Sequence, residues 1–130
     1  MIVNLACKYG LALRVSGKPF IEKLQRQGYP TNNYNLLDSY DLGTQDKPAC
    51  YHKLLRELPA GLSEWAMHPG IGGTELQAIT PSWHVRQADF DFLMSQEAQD
   101  LVEEEGIIIL SYESLQELWK GSALDKQRMN

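Results

Sequence analysis

The feature that most constrains this sequence is a short apolar run that stops at a histidine. The run, Leu62–Met67, follows a turn and ends at His68, because Pro69-Gly70 comes next. Proline has no amide hydrogen to donate to a sheet, and glycine adopts backbone angles that other residues avoid, so the predicted strand ends there. In α/β proteins, chemistry is often placed where a strand ends before a glycine-rich loop. His68 is therefore the first candidate for a functional residue.

Alternation along this strand determines which side chains share a face with His68. A period of two puts Glu64 and His68 on the same face. The two residues are separated by ~13 Å at ~3.3 Å per residue, so we expect no direct contact and no catalytic dyad between them. The structural alternative for His68 is a ring whose polar atoms are satisfied by a backbone carbonyl at the end of the strand.

Strands alternate with helices along the whole chain. The predicted strands are Leu11–Val15, Tyr34–Leu37, Leu62–Met67 and Ile107–Leu110. Helices are predicted over residues 1–9, 19–28, 48–58, 83–94, 96–105 and 111–121, with Asp46 and Ser95 as candidate caps, and residues 70–78 are predicted to be a loop. This order is typical of an α/β domain with a parallel sheet of about four strands and flanking helices. The continuous apolar run Ile107–Leu110 is predicted to be a buried strand.

Length, charge and cysteine content exclude several classes of protein. A chain of 130 residues is one domain by length, and its net charge of −5 with scattered basic residues argues against binding to nucleic acid. No run approaches the ~18 apolar residues of a membrane span, and the first residues do not resemble a secretory signal. Cys7 and Cys50 lie in apolar helical patterns, which favours reduced, buried thiols. We expect a soluble, cytoplasmic protein.

Several polar residues at or near the ends of predicted elements have two interpretations each. Arg14 is the only charged residue of its strand, and it either contacts a ligand or pairs with a carboxylate. Asp38 and Asp41 flank the Tyr40 hydroxyl, and they either bind a sugar or a metal or form turns before the next glycine. Arg86 and Asp89 are three residues apart on one predicted helix, a spacing at which the two side chains can pair.

No motif in the sequence completes a catalytic site by itself. There is no phosphate-binding glycine loop, no cysteine pair at zinc spacing and no HExxH helix, and no two histidines share a helical turn. A metal hydrolase needs about three protein ligands and an open position for water, which these residues do not supply. Histidine is suited to general acid or base catalysis, but one such residue is not an active site.

Several segments taken together resemble one family. The first two are Leu36–Tyr40 and Leu54–Gly70, the second of which contains the pattern G-x-x-E-x-x-x-H-P-G. Further matching segments are Ala6–Arg14 at the start and, later in the chain, Trp83-x-Val85-Arg86-x-x-Asp89, Glu105–Ile107 and Ser111-Tyr112. In this order, over about residues 1–121, they resemble the YdjC-like (ChbG/HpnK) carbohydrate deacetylases, whose C-terminal hallmark is the histidine pattern.

The resemblance implies a partial (β/α) barrel of the polysaccharide-deacetylase type and hydrolysis of the amide bond in N-acetylated amino sugars. In such enzymes a divalent metal (Mg or Zn) polarises the carbonyl and activates water, while a protein acid protonates the leaving amine. His68 matches the histidine of the HPG motif, which implies a catalytic role in proton transfer or oxyanion stabilisation. Arg14, Asp38 and Glu64 are candidate substrate-binding residues by position.

The resemblance covers only the C-terminal half of the family's domain, over residues 1–121, with 122–130 as a tail. The family's metal ligands are an Asp in an N-terminal acidic motif and histidines in the first half, and this chain starts after them, so the metal ligands are expected to be absent. We therefore expect no catalysis by the chain alone. We expect it to be a truncated reading frame, one piece of a split enzyme that needs a complementary N-terminal half, or a half-barrel that forms a homo-oligomer. The alternative is a non-catalytic α/β interaction module.

Overall fold

The computed structural model describes residues 2–42 and 46–117. In chain order the elements are α1 (Ile2–Tyr9), α2 (Lys18–Arg26), β1 (Leu37–Asp38), a 3₁₀ turn (Ser39–Asp41), α3 (Lys47–Arg56), β2 (Trp65–Ala66), α4 (Thr74–Ile79), α5 (Trp83–Leu93) and α6 (Gln96–Glu104). Residues 112–117 are also helical. The end of the last predicted helix and the predicted tail, 122–130, lie outside the described residues. The chain divides into two compact units, each with its own core.

Of the described residues, 2–35, 61–64 and 109–117 belong to the first unit. Helix α2 has a proline in its first turn and buries Ile21 and Leu24 against Val15. The strand predicted over Leu11–Val15 is wrong, because a side chain takes the place of a neighbouring strand: the amide of Asn32 accepts from the Val15 nitrogen at 3.1 Å and donates to the Val15 oxygen at 2.7 Å. The segment belongs to no sheet.

The second unit contains residues 36–60 and 65–108. Helices α3, α5 and α6 enclose its core of Tyr51, Leu55, Phe92, Ala98 and Leu101. Strands β1 and β2 pair in parallel, with Leu37 opposite Trp65 and Asp38 opposite Ala66. The Tyr51 ring packs edge-on against both Trp65 and Phe92, with centroids 5.0 Å apart in each pair. The core therefore joins the sheet to the helices.

A mixed fold with parallel strand pairing is confirmed, but the prediction of about four strands is wrong for the described residues. They form one open sheet of two strands and no barrel. The segment Ile107–Leu110 joins no sheet, and Ile108 and Ile109 are 80% and 78% exposed, against the prediction of a buried strand. Apolar content indicates a preference for burial, but a parallel strand also needs a neighbour to pair with. The predicted loop over 70–78 instead contains helix α4.

The residues predicted to cap two of the helices adopt that role in the structure. Asp46 adopts a left-handed backbone with φ of 46° and accepts from the Ala49 nitrogen, and the Ser95 hydroxyl accepts from the Ala98 nitrogen. Both predicted caps are confirmed. Cys7 and Cys50 are half-buried and form no disulfide with each other. Across residues 2–42 and 46–117, no helix has the length and apolar character needed to cross a membrane.

Candidate functional site

The parallel register of the sheet brings Asp38 and His68 together. Strand β1 ends at Asp38, opposite Ala66 of β2, and His68 follows two residues later. Oδ1 of Asp38 lies 3.2 Å from Nε2 of His68, and each side chain is 30% exposed. Two candidates that the sequence placed at separate strand ends thus form one pair that solvent can reach.

Asp38 has a second partner that fixes its own position. Oδ1 also accepts from the Tyr40 backbone nitrogen at 2.9 Å, which starts the 3₁₀ turn and confirms the turn-forming interpretation of this aspartate. This hydrogen bond lowers the pKa of Asp38, partial burial opposes it, and the hydrogen bond with His68 and the charge of Lys47 lower it further. The net pKa lies below the ordinary value, so the group is a carboxylate at neutral pH.

An aromatic ring and a buried lysine complete the surroundings of the pair. The Tyr40 ring lies 4.3 Å from the His68 ring at a tilt of 33° and is partly exposed. Lys47 is only 5% exposed, donates to the Ser39 carbonyl oxygen and lies 5.9 Å from the centroid of the Tyr51 ring. The pair therefore has an aromatic wall on one side and a nearby fixed positive charge.

A fully buried carboxylate, Asp89, lies behind the pair. Its Oδ2 accepts from the Ser39 hydroxyl and from the His68 backbone nitrogen, both at 2.7 Å, and its Oδ1 accepts from the Tyr51 hydroxyl. Burial, followed by the bond to Asp89, raises the pKa of Tyr51 well above its ordinary value, so this hydroxyl remains a donor. Asp89 thus has three donors from three different segments.

The predicted Arg86–Asp89 pair is wrong, because the Asp89 carboxylate instead accepts hydrogen bonds from two hydroxyls and one backbone nitrogen. Nε of Arg86 is buried and has no hydrogen-bond partner among the described residues. The sequence does contain a signal for this arrangement, in the position of Asp89 on its helix. Asp89 lies four residues after Val85 and three before Phe92, on the buried face of α5. A carboxylate on an apolar stripe must find several donors.

Arg14 and Glu64 are also brought together, in the first unit. Nε of Arg14 lies 2.9 Å from each oxygen of Glu64, a second guanidinium nitrogen contacts Oε1, and the Tyr112 hydroxyl donates to Oε2 at 2.8 Å. Partial burial raises the pKa of Glu64, but the hydrogen bonds from Arg14 and Tyr112 outweigh it and the net pKa falls. The carboxylate-pairing interpretation of Arg14 is confirmed. Tyr112 was not singled out as an interacting residue in the sequence analysis.

The described residues do not fit a catalytic metal centre. They include no group of three or more His, Cys, Asp or Glu side chains placed to hold a metal ion. The Asp38–His68 pair offers two ligands at most, and its facing atoms already contact each other. A catalytic divalent ion needs about three protein ligands. The chemistry that this part of the chain supports is proton transfer by a carboxylate–histidine pair.

Residues 1–104 match a family model described as YdjC-like protein. No curated protein sequence matches the chain.

Proposed function

We propose that this chain, which belongs to the YdjC-like protein family, supplies the proton-transfer residues of a carbohydrate N-deacetylase. The observation that carries the proposal is the contact of 3.2 Å between Asp38 Oδ1 and His68 Nε2, where His68 begins the His-Pro-Gly motif of a chain from this family. We place the chain in the ChbG/HpnK branch, as the C-terminal half of a partial (β/α) barrel. The family fits a carbohydrate-deacetylase-like function, and the pair supplies the acid–base chemistry that amide hydrolysis needs.

The Asp38–His68 pair has a defined direction of proton flow. An ionised carboxylate only accepts hydrogen bonds, so Nε2 of His68 carries the hydrogen in this contact. Nδ1 is then the nitrogen that takes up and delivers a proton, and the Asp38 charge stabilises the imidazolium that forms in between. An amide nitrogen must be protonated before it leaves as an amine. His68 is thus the catalytic acid of the proposal, and Asp38 orients its ring.

The same residues offer contacts for an N-acetylated amino sugar. The exposed part of the Asp38 carboxylate can accept from sugar hydroxyls, and the Tyr40 ring offers an apolar face. Arg14 and Glu64 remain proposed substrate-binding residues of a different kind, because they already bind each other. The Arg14 side chain is 48% exposed, which leaves donors for a sugar hydroxyl without breaking the ion pair.

The divalent metal of the family, Mg or Zn, is assigned to residues other than those described. We propose that a complementary N-terminal half, as a separate chain, holds it and that this chain alone does not catalyse. Purified chain supplemented with Zn²⁺ or Mg²⁺ is expected to release no acetate from diacetylchitobiose above the buffer rate. Hydrolysis at an enzyme-like rate would show that the chain is sufficient and would overturn the requirement for a partner.

The substrate proposal is tested by NMR titration of the full chain with diacetylchitobiose. We expect chemical-shift changes at Tyr40, Asp38 and His68, and weaker changes with chitobiose, the matched sugar without acetyl groups. The variant Tyr40→Ala should weaken binding, because it removes the apolar face. Shift changes confined to residues away from these three, or none at millimolar sugar, would contradict the proposal.

Exposed apolar residues favour a second candidate function, assembly with another chain. Ile108 and Ile109 are about four-fifths exposed, and neither β1 nor β2 has a second neighbouring strand among the described residues. Open strand edges and apolar surface favour association. Light scattering after size exclusion distinguishes the candidates: a stable dimer of the chain alone favours a non-catalytic module or half-barrel, whereas a monomer favours the enzyme half that needs a complementary chain.

A further inference from the structure

We propose that Asp89 is the positioning residue that holds His68 in register with Asp38, an inference that rests on the proposed role of His68 in proton transfer. Asp89 would not touch the substrate. It acts through the backbone of His68 and through the residue that follows Asp38.

A single oxygen atom ties the two halves of the pair together. Oδ2 of Asp89 accepts from the Ser39 hydroxyl and from the His68 nitrogen, each at 2.7 Å. Ser39 is the residue directly after Asp38, and it is fully buried. The backbone nitrogen of His68 and the side chain of Ser39, one on each side of the Asp38–His68 contact, are therefore bonded to the same atom. Displacement of either strand end would break one of these two bonds.

The other oxygen anchors Asp89 itself. Oδ1 accepts from the hydroxyl of Tyr51, whose side chain is fully buried in the core beside Phe92. One oxygen of the carboxylate is thus bonded to a residue of helix α3, and the other is bonded to Ser39 and His68, which follow the two strands. This separation of tasks predicts that donors to Oδ2 affect the geometry of the pair more than the donor to Oδ1 does.

A carboxylate suits this position better than a neutral side chain of the same shape. Asparagine has one acceptor oxygen and an amide group that only donates, so it cannot accept from all three donors at once. Burying a carboxylate without a facing cation is costly unless several hydrogen bonds compensate. Among the contacts of the described residues, Asp89 has three hydrogen bonds and no ion pair. An apolar residue would fill the α5 stripe at lower cost, which points to a role beyond packing.

The test measures the titration of Asp38 in the full chain by carbon-detected NMR. His68 helps to lower the pKa of Asp38, so His68→Ala should raise it. If Asp89 positions His68, Asp89→Asn should produce most of that rise, and the double variant should add little to it. Removing the negative charge of Asp89 would by itself lower the pKa of Asp38. The direction of the pKa change therefore distinguishes a positioning role of Asp89 from an effect of its charge. A lowered or unchanged value in Asp89→Asn would overturn the proposal.

A matched control and a second pair of variants keep the test decisive. Asp91→Asn changes an exposed aspartate of the same helix and should leave the Asp38 titration unchanged. If Asp89→Asn does not fold, Ser39→Ala should raise the pKa of Asp38 more than Tyr51→Phe does. Of these two hydroxyls, only that of Ser39 donates to Oδ2 of Asp89, the oxygen that also accepts from His68. Equal effects of these two variants would contradict the proposal. If the chain does not bind the sugar but the pKa of Asp38 responds to these variants as expected, the proposed function is rejected and the positioning role of Asp89 is retained.

Discussion

Two carboxylates with basic partners, one in each unit, show how similar pairs differ in what they can do. Asp38 faces His68 and Glu64 faces Arg14, and in both cases the pKa of the carboxyl is lowered. Arginine keeps its proton throughout the accessible pH range, so Arg14 and Glu64 hold two segments together by charge. Histidine exchanges its proton near neutrality, so only the pair with His68 can move one.

The two pairs also differ in the burial of the residue that is hydrogen-bonded to them. Glu64 is backed by the hydroxyl of Tyr112, whose own side chain is 46% exposed. His68 is backed by Asp89, which is fully buried and bonded to three donors. A pair that only holds segments together tolerates a mobile neighbour, whereas proton transfer requires a fixed distance. The difference in burial predicts how strongly each pair responds to substitution.

The largest effect is expected for Asp89→Ala. It leaves the Ser39 and Tyr51 hydroxyls and the His68 nitrogen without their acceptor, and buried unsatisfied groups cost ~1–3 kcal/mol each. We expect the free energy of unfolding to fall by about 3–5 kcal/mol, measured by urea denaturation. Asp91→Ala on the exposed side of α5 should cost less than ~0.5 kcal/mol. A loss below ~1 kcal/mol for Asp89→Ala would show that the network does not stabilise the fold.

The next largest effect is expected for Gly61→Ala, which changes the backbone close to Glu64 of the Arg14–Glu64 pair. Gly61 has φ of 131°, and a Cβ there would lie 2.8 Å from Oδ1 of Asn33, which accepts from the Leu62 nitrogen. Gly61→Ala should therefore lower the free energy of unfolding by ~1–3 kcal/mol and displace the segment that carries Glu64. The Asp38 titration should stay as in the parent chain. Gly73→Ala, at φ of −70° with open space around it, should cost less than ~1 kcal/mol in the same denaturation measurement.

Local patterns predicted every helix named above except α4, because the information that they need is local. Proline in the first turn of α2, and Asp46 and Ser95 at the starts of α3 and α6, are signals that act over one turn. The strands were harder, because pairing depends on partners far away in sequence. Leu11–Val15 bonds to a side-chain amide, and Ile107–Leu110 has no neighbouring strand among the described residues. β1 includes Asp38, one residue beyond the predicted strand.

The candidate site was predictable residue by residue but not as an arrangement. His68 and Asp38 were found because each lies where a predicted strand ends. Their contact follows from the alignment of Asp38 with Ala66, and no single stretch of sequence encodes that register. The role of Asp89 was missed because its spacing from Arg86 suggested a helix-surface pair. Its place between Val85 and Phe92 on the buried stripe was the better signal.

A smaller effect is expected when the exposed pair is broken. Glu64→Gln removes the charge that faces Arg14 but keeps a side chain of the same length. Because the guanidinium is about half exposed, the loss in unfolding free energy should be under ~1 kcal/mol at low salt. In 1 M salt, screening should reduce the difference between parent and variant further. A loss that is large and independent of salt would mean that Glu64 is held as tightly as Asp89.

The smallest effect is a difference in how the two carboxylates respond to acid. Both have a folded pKa below the unfolded value, so the unfolded chain binds more protons in acid. The stabilisation is complete above the unfolded pKa of about 4 and is lost as the pH falls through the lower folded value. Glu64→Gln and Asp38→Asn should each flatten the dependence of the thermal unfolding midpoint on pH between about 3 and 6.

Salt should then separate these two contributions. The pKa of Asp38 is lowered first by the Tyr40 backbone hydrogen bond, whereas the pKa of Glu64 is lowered first by the charge-assisted hydrogen bonds from Arg14, whose side chain is about half exposed. High salt screens exposed charges but leaves a backbone hydrogen bond in place. Repeating the melts at about 0.05 and 1 M salt should therefore weaken the effect of Glu64→Gln and preserve that of Asp38→Asn. Equal screening of both would mean that Asp38, like Glu64, is held mainly by its charged neighbours.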